Sequence, residues 1–321
     1  MGKLSGRTMG TTYSVKYHGD GVISSEKVHE QIDAALSEVN QQMSTYLPES
    51  ELSQFNSSDS TNGQSVSPAT AYVVGEAVEI HQQTDGAFDV TVGPLVKLWK
   101  LNDPKSSPIE PTDDQIEQAR ERTGIDKLAV QTSPPMLSKS NPRLEIDLSA
   151  IAKGFGVDRV CEVLNGLGIV NFMVEIGGEV RASGVREDGK AWRIGVESPQ
   201  VGQRDLTRVI PLANYAMATS GDYRNFRGKG PAAYTHILDP RTGRPLAYRG
   251  VSVTVLAKTC LEADALATAL VVMGQEKGAP WCEEHGVAAL FQHRTSDGPS
   301  KAYATSAFDK LAPTGKPARL E

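Results

Sequence analysis

Residues Leu144 to Gly156 constrain this chain more than any other stretch. Leu144, Ile146 and Leu148 alternate with Glu145 and Asp147, the two-residue period of a half-buried strand. The period then changes: Val157, Val160, Cys161 and Leu164 recur at helical spacing, and Gly166 is placed to end the helix. Ser149 is a natural N-cap at the junction. The pattern predicts a strand running straight into a helix whose first turns carry Lys153, with Gly154 and Gly156 beside it. The unpaired N–H groups and positive dipole end of such a helix form an anion site. A lysine there opposes the dipole, so a negative group is expected close by. Asp147, two residues before the cap, is placed to hold a metal or to act as a base. The alternative is a solvated Lys153 with Asp147 as a loop-edge carboxylate, because short motifs also arise by chance.

Composition narrows the classes. The 321 residues allow one large or two modest domains, and 39% hydrophobic with 22% charged residues is a soluble globular balance. A formal charge of −6 argues against a nucleic-acid-binding surface. No apolar run approaches the ~20 residues needed to span a bilayer. Met1 to Gly6 shows neither a signal-peptide core nor a lipidated cysteine, which reads as a cytoplasmic protein or a mature form. Cys161, Cys260 and Cys282 are too far apart for a zinc ribbon or a CxxC motif, and buried apolar thiols are expected.

Along the chain, Thr11 to Tyr17 alternates as a first strand, and 24–39 has helical spacing with Ser25 as cap and Val39-Asn40 as its close. A helix is expected from Pro68 to His81 or Gln83. Asp85-Gly86 reads as a turn and Gly93-Pro94 as a breaker, with Phe88-Asp89 extended between them. Residues 102–111 are Pro- and Ser-rich, and Thr112 caps a short helix over 113–122. A strand over 170–180 is interrupted at Gly177-Gly178, marking a bulge or a close backbone approach. Strands are expected over 192–196, 208–212 and 251–255, and 216–223 reads as a small-residue loop. Thr235 onward is a strand ending in the turn Asp239-Pro240-Arg241-Thr242-Gly243. From Leu311 the chain reads as a loose tail.

Thr259-Cys260-Leu261-Glu262 is a capping-box pattern opening a second chemically informative helix, which Gly274 is placed to close. From Ala263 to Met273 it is apolar all round except at Asp264 and Thr268, so burial is expected. These two lie at i and i+4 and share a face. A buried carboxylate is costly unless paired or bound to a metal, and Asp plus Thr supplies hard oxygens suited to Mg²⁺. The alternative pairs Asp264 with an arginine or backbone amides and bonds Thr268 back to its own helix.

With both elements read, the chain resembles the ApbE family of flavin transferases. The resemblance rests on Met9-Gly10-Thr11, Ser44-Thr45-Tyr46, Asp85-Gly86-Ala87-Phe88-Asp89, Ile146 to Gly154, Ile176-Gly177-Gly178, Thr219-Ser220-Gly221, Thr235 to Pro240 and Ala263 to Thr268, in that order. It implies an α+β, T-fold-like domain of mainly antiparallel sheets and packed helices over 7–310, divisible into two lobes. Residues 95–143 are then a surface elaboration and 311–321 a tail. It implies Mg²⁺ as cofactor and FAD as substrate, with FMN passed to a threonine or serine hydroxyl of a partner and AMP released. By the same resemblance Met9, Tyr46, Ala87, Phe88, Asp89, Asp147, Lys153 and Ile237 line the FAD site. The Ala150 carbonyl joins Asp264 and Thr268 as metal ligands, and His236 stands beside the reacting phosphate, with Asp147 the other candidate base. The implied partners are subunits of membrane redox complexes carrying Asp-Gly-x-(Ser/Thr)-Gly-(Ala/Ser)-Thr, and the implied location is the periplasm at the inner membrane. Glu175 departs from the smaller residue common before Ile-Gly-Gly, which bears on strand packing. A magnesium-dependent FAD pyrophosphatase and a non-catalytic flavin carrier are the rival functions.

Overall fold

A computed structural model describes residues 1–19, 23–103, 109–199, 206–222, 226–228, 233–295 and 300–312. In chain order the elements begin β1 (Gly2–Thr8), β2 (Thr11–His18), α1 (Ser25–Met43), α2 (Glu51–Ser57), β3 (Gln64–Ser65), α3 (Pro68–Gln83), α4 (Gly93–Leu98), α5 (Asp113–Arg120), β4 (Leu128–Thr132), β5 (Pro135–Lys139) and α6 (Ala152–Gly166). They continue β6 (Asn171–Ile176), β7 (Glu179–Ser183), β8 (Trp192–Glu197), β9 (Leu206–Leu212), β10 (Tyr215–Gly221), β11 (Phe226–Arg227), β12 (Tyr234–Asp239), β13 (Arg244–Ala247), β14 (Val251–Ala257), α7 (Cys260–His285), β15 (Ala288–His293), β16 (Lys301–Ala304) and α8 (Ser306–Leu311). The chain forms two compact units. The first comprises Met1–Glu38, Lys153–Tyr223 and Arg249–Glu321, the second Val39–Ala152 and Arg224–Tyr248.

The first unit is built on an antiparallel sheet in the order β1-β2-β6-β7-β10-β14-β15-β16. Alternation decides its two faces. Phe172, Val174 and Ile176 of β6 join Val28, Ile32 and Leu36 of α1 and Val157, Val160 and Leu164 of α6 in one core. Val180 and Ala182 of β7 belong to the other core, with Trp192 and Ile194 of β8 and Phe308 of α8. In the β6–β7 register Ile176 faces Glu179 and Val174 faces Arg181. Directly opposed residues share a sheet face, so Glu179 and Arg181 point to the side that α6 covers. Cys161, Cys260 and Cys282 are all free and buried, as expected.

Several local expectations shift. Gly177-Gly178 is the two-residue turn of the β6–β7 hairpin, both at positive φ (63° and 112°), rather than an interruption within one strand. Such tight hairpins demand positive φ, and glycine meets that without strain. Glu175, the departure noted above, accepts the Gly178 N–H at 2.9 Å and the Ser14 hydroxyl at 3.2 Å. Residues 216–221 are strand β10 rather than a loop, and Tyr223 lies outside the described residues. Gly274 ends the first helical run of α7, as expected: its φ of 71° and ψ of 163° are non-helical, and a second run continues beyond this kink to a left-handed cap at Gly286. Helix α1 starts behind the Ser24 hydroxyl, which accepts the Lys27 N–H, and continues to Met43. Most of the expected tail, 313–321, lies outside the described residues.

The second unit contains two three-stranded sheets, β3-β5-β4 and β11-β12-β13. Within 95–143, Trp99, Ile116 and Ala119 pack with Leu95 and with Leu238 of β12. The expected strand over 144–148 is the main correction. Leu144, Ile146 and Leu148 are buried in alternation, yet the segment makes one isolated parallel bridge, Val92 to Glu145. Side chains replace the missing neighbours. Asn56 accepts the Ile146 N–H at 2.7 Å and donates to the Ile146 carbonyl at 2.8 Å, as a strand partner would. Lys139, 2% exposed, donates to the carbonyls of Leu144 and Phe55 at 3.0 and 2.9 Å. Burial pulls its pKa down, opposed by the Glu145 and Asp59 carboxylates. The Asp147 N–H goes to the Val90 carbonyl at 2.7 Å. The helix then begins at Ala152, not at Ser149, because 149–151 form a turn closed onto the Leu148 carbonyl.

Buried main-chain groups left unpaired each cost about 1–3 kcal/mol. Asn56→Ala orphans both polar groups of Ile146 and is expected to lower unfolding free energy by about 2–4 kcal/mol in urea titration. A loss under about 0.5 kcal/mol, typical of plain surface changes, would show that the amide does not carry this segment.

Candidate active site

In the first unit Lys153 stands at the second position of α6, where its charge is unfavourable to the helix dipole. Two carboxylates answer it. Its Nζ lies 2.9 Å from Glu179 Oε1 and 3.6 Å from Asp264 Oδ1. Asp264 is 2% exposed and Glu179 5%. The other Asp264 oxygen, Oδ2, accepts the Gly154 N–H at 3.0 Å. That contact requires a very close helix crossing: a Cβ on Gly154 would stand 2.3 Å from the Cys260 carbonyl oxygen. Asp158, further along α6, accepts the N–H groups of Cys260 and Leu261 at 3.0 and 2.9 Å and so caps the start of α7. Arg181 holds Asp158 from β7.

The electrostatics follow from burial. Burial works against the charge on Lys153, but the Asp264 and Glu179 carboxylates more than offset it and hold the ammonium's proton more tightly than usual. Burial pushes Glu179 up to about 7, against Lys153, with Asp264 adding to the rise. Two carboxylates face one ammonium, and Glu179 Oε2 is buried without a hydrogen-bond partner among the described residues. One turn beyond Asp264, the half-buried Thr268 hydroxyl shares a 2.9 Å hydrogen bond with Ser220 of β10. Above about pH 7, where Glu179 is ionised, negative charge is in excess, and the Asp264 carboxylate and Thr268 hydroxyl on one helix face are oxygen donors that fit a hard divalent cation. Met9 lies at the tip of the β1–β2 hairpin at φ 48°, with its side chain over Gly156, where a Cβ would meet Met9 Cε at 2.9 Å.

The second unit carries the remaining residues. Asp147 Oδ1 accepts the Ser149 N–H at 2.8 Å, and Ala150 sits on the turn that follows. The Val90–Asp147 hydrogen bond places Asp147 beside the segment Ala87-Phe88-Asp89. Ala87 and Phe88 are buried side chains, Phe88 at 3% exposure, so the Phe88 ring is interior. Asp89 Oδ1 accepts both the N–H and the hydroxyl of Thr91 at 2.7 and 2.6 Å. His81 Nδ1 donates to the Phe88 carbonyl at 2.9 Å and stands 3.6 Å from Asp89 Oδ2. Tyr46 is 71% exposed, and its hydroxyl donates to the Asn102 carbonyl at 3.2 Å. Local burial of that hydroxyl, then the charges of Asp147 and Asp103, raise the Tyr46 phenol, so Tyr46 and Asp147 share one neighbourhood. His236 is exposed on β12, whereas Ile237 is buried. The strand is irregular there: Thr235 Oγ1 accepts the Ile237 N–H at 3.0 Å and donates to the Ile237 carbonyl at 3.1 Å. The turn after it closes on Asp239, which Arg241 grips with two 2.9 Å contacts.

Sequence reasoning did not single out Glu179, Asp158, Ser220, Asn56 or His81. A signal existed for Glu179, since Lys153 called for a negative group, but only pairing register shows which carboxylate answers.

The fold is α+β and mainly antiparallel, and it sets a half-buried lysine between two buried carboxylates at a helix start. The sequence pattern of the ApbE family matches residues 9–291. The FAD:protein FMN transferase of Vibrio cholerae serotype O1 is 48% identical over 306 residues, 95% of this chain and 91% of that protein. The FAD:protein FMN transferase of Haemophilus influenzae is 45% identical over 317 residues, 97% and 91% of the two chains. Among solved structures, the flavin transferase ApbE from Vibrio cholerae superposes with a TM-score of 0.87 at 48% identity over 96% of this chain and 98% of that one. The apo flavinyl transferase ApbE of Pseudomonas stutzeri gives 0.88 at 36% identity, over 98% and 97%. The chain belongs to the ApbE family.

A carboxyl that binds its proton more tightly folded than unfolded favours the folded state at low pH. That advantage disappears as pH climbs from the unfolded value of 4.5 through about 7. In metal-free protein, Glu179 is therefore expected to lower the melting temperature between about pH 5 and about pH 8. Glu179→Gln should remove that part of the decline, as scanning calorimetry in a chelating buffer can measure. Parallel wild-type and variant profiles would contradict the raised carboxyl.

Proposed function

We propose that the protein is an FAD:protein FMN transferase, moving FMN from FAD to a threonine or serine hydroxyl of an acceptor protein with release of AMP. Family membership and the names of the relatives support the reaction class. The single structural observation behind the chemistry is the buried Lys153–Asp264–Glu179 cluster with its excess negative charge. Asp264 and Thr268 would hold Mg²⁺, and the family resemblance adds the Ala150 carbonyl. A divalent cation held there would supply charge neutralisation at the FAD pyrophosphate.

The chain's own residues do the rest. Lys153, kept charged by its carboxylates, offsets phosphate charge in a place where a water-exposed lysine would be worth less. Ser220 orients the Thr268 hydroxyl through their shared hydrogen bond. His236, exposed on its irregular strand, takes the proton from the acceptor hydroxyl, a task suited to histidine near neutral pH. Asp147 either shares that task or contacts the flavin beside Tyr46. A bond forms between the acceptor oxygen and the FMN phosphorus, and the bond from that phosphorus to the AMP oxygen breaks. By the same resemblance the acceptors are subunits of membrane redox complexes with the Asp-Gly-x-(Ser/Thr)-Gly-(Ala/Ser)-Thr motif, met in the periplasm at the inner membrane. No helix among the described residues is long and apolar enough to cross a membrane.

The test incubates the protein with FAD, Mg²⁺ and an acceptor domain bearing that motif and looks for flavin fluorescence on a denaturing gel. A fluorescent acceptor band is expected, absent with chelator. Free FMN and AMP at full rate without an acceptor would replace the reading with a pyrophosphatase. FAD binding that ignores chelator and yields no product would make the protein a carrier. Asp264→Ala should lower transfer by at least about 100-fold while melting remains cooperative, as expected when a charge-stabilising group is lost. His236→Ala should cost roughly 10²–10⁴ in rate, the range for a general base.

A further inference from the structure

We propose that Glu179 is a positioning residue for the metal: it holds the Lys153 ammonium away from Asp264, leaving one carboxylate oxygen open to a cation. The inference rests on the magnesium reading above. Asp264 has two oxygens in different situations. Oδ2 is occupied by the Gly154 N–H at 3.0 Å. Oδ1 faces Lys153 Nζ at 3.6 Å, beyond hydrogen-bond length, while the same ammonium donates to Glu179 Oε1 at 2.9 Å. The lysine is therefore drawn toward Glu179, and Asp264 Oδ1 keeps lone pairs to offer.

Backbone geometry fixes this arrangement. The Gly177-Gly178 turn and the Ile176–Glu179 pairing put Glu179 on the sheet face covered by α6. Its oxygens are unequal: Oε1 takes the ammonium, while Oε2 is buried with no hydrogen-bond partner among the described residues. It lies over the turn, 3.4 Å from where a Gly177 Cβ would stand. A carboxylate buried for its own hydrogen bonds would employ both oxygens. Glu179 instead directs Oε1, and the charge it carries when ionised, at Lys153. Without that charge the ammonium has a single carboxylate to satisfy, and it closes on Asp264. A cation must then displace an ammonium from a neutral buried pair rather than enter a cluster with negative charge to spare.

The experiment measures binding of Mg²⁺ alone, without FAD, to the whole protein by isothermal titration calorimetry. Wild type, Glu179→Gln, Lys153→Met and the double variant form a cycle. Glu179→Gln is expected to weaken Mg²⁺ binding by about tenfold. In the Lys153→Met background, where there is no ammonium to hold, the same change should matter less than about threefold. A full tenfold loss in that background would make Glu179 a direct ligand or a bare charge and overturn the positioning role. Unchanged affinity in Glu179→Gln would overturn it too. Wild-type protein that binds no Mg²⁺ would overturn the magnesium reading and this inference together, a result distinct from a working site indifferent to Glu179. Cooperative melting in chelator checks each variant's fold. Should the glutamine variant not fold, Glu179→Asp, which keeps the charge on a shorter reach, takes its place in the cycle with Lys153→Met. It is expected to weaken binding only where Lys153 is present, and equal losses in both backgrounds would overturn the proposal.

Discussion

The chemistry of the first unit depends on how closely the start of α6 approaches the start of α7. Helix N-termini carry donors that need partners, and here each helix takes its partner from the other. Asp158 of α6 closes the first turn of α7, and Asp264 of α7 accepts the Gly154 N–H of α6. The exchange is possible only because Gly154 has no side chain to meet the Cys260 carbonyl. Burial raises the Asp158 carboxyl, while the two amides it accepts and Arg181 oppose the rise. One consequence bears on ligand binding. The Gly154 amide, part of the anion site expected at this helix start, is already bound to Asp264.

The second unit meets a related demand by other means. A buried extended segment must have its N–H and C=O groups paired. Over 144–148 the partners are the Asn56 amide, the Lys139 ammonium and the Val90 carbonyl, not a continuous neighbouring strand. This leaves Asp147 near the end of an extended segment and Ala150 on the turn after it, neither in a ladder, with the Asp147 side chain half-exposed. At β12 the Thr235 hydroxyl bonds to Ile237 on both sides of the peptide unit, and His236 lies exposed between them. In both places polar side chains do the work of missing strand contacts, beside a residue the sequence pattern assigns to the site.

Periodicity carried the reading furthest where local pattern and burial coincide. The apolar run from Ala263 to Met273 with Asp264 and Thr268 on one face is a buried helix, Pro68 opens α3 and Thr112 caps α5. Glycines were read less well. Gly177-Gly178 and Gly274 were legible as irregular points, but a turn, a bulge and a kink ask the same thing of glycine: freedom at positive φ. Which of them forms depends on what the flanking segments pair with. The small residues of 216–221 read as a loop for a comparable reason. Small side chains suit a loop near a ligand and equally a strand beneath a tightly packed helix.

By itself the sequence determined that Leu144 to Leu148 is extended with one buried face, that a helix follows with a lysine opposed to its dipole, and that Asp264 and Thr268 share a face. These are local properties, set by side-chain spacing and by the charge each residue carries. It also held enough ordered motifs to indicate the family. Tertiary structure alone decided that Glu179 and Asp264 are the carboxylates answering Lys153, that Asn56 and Lys139 stand in for strands, and that the Phe88 ring is interior. Those outcomes depend on strand register and helix crossing. A shift of one residue in the β6–β7 pairing would turn Glu179 to the opposite face of the sheet and leave Lys153 closing on Asp264.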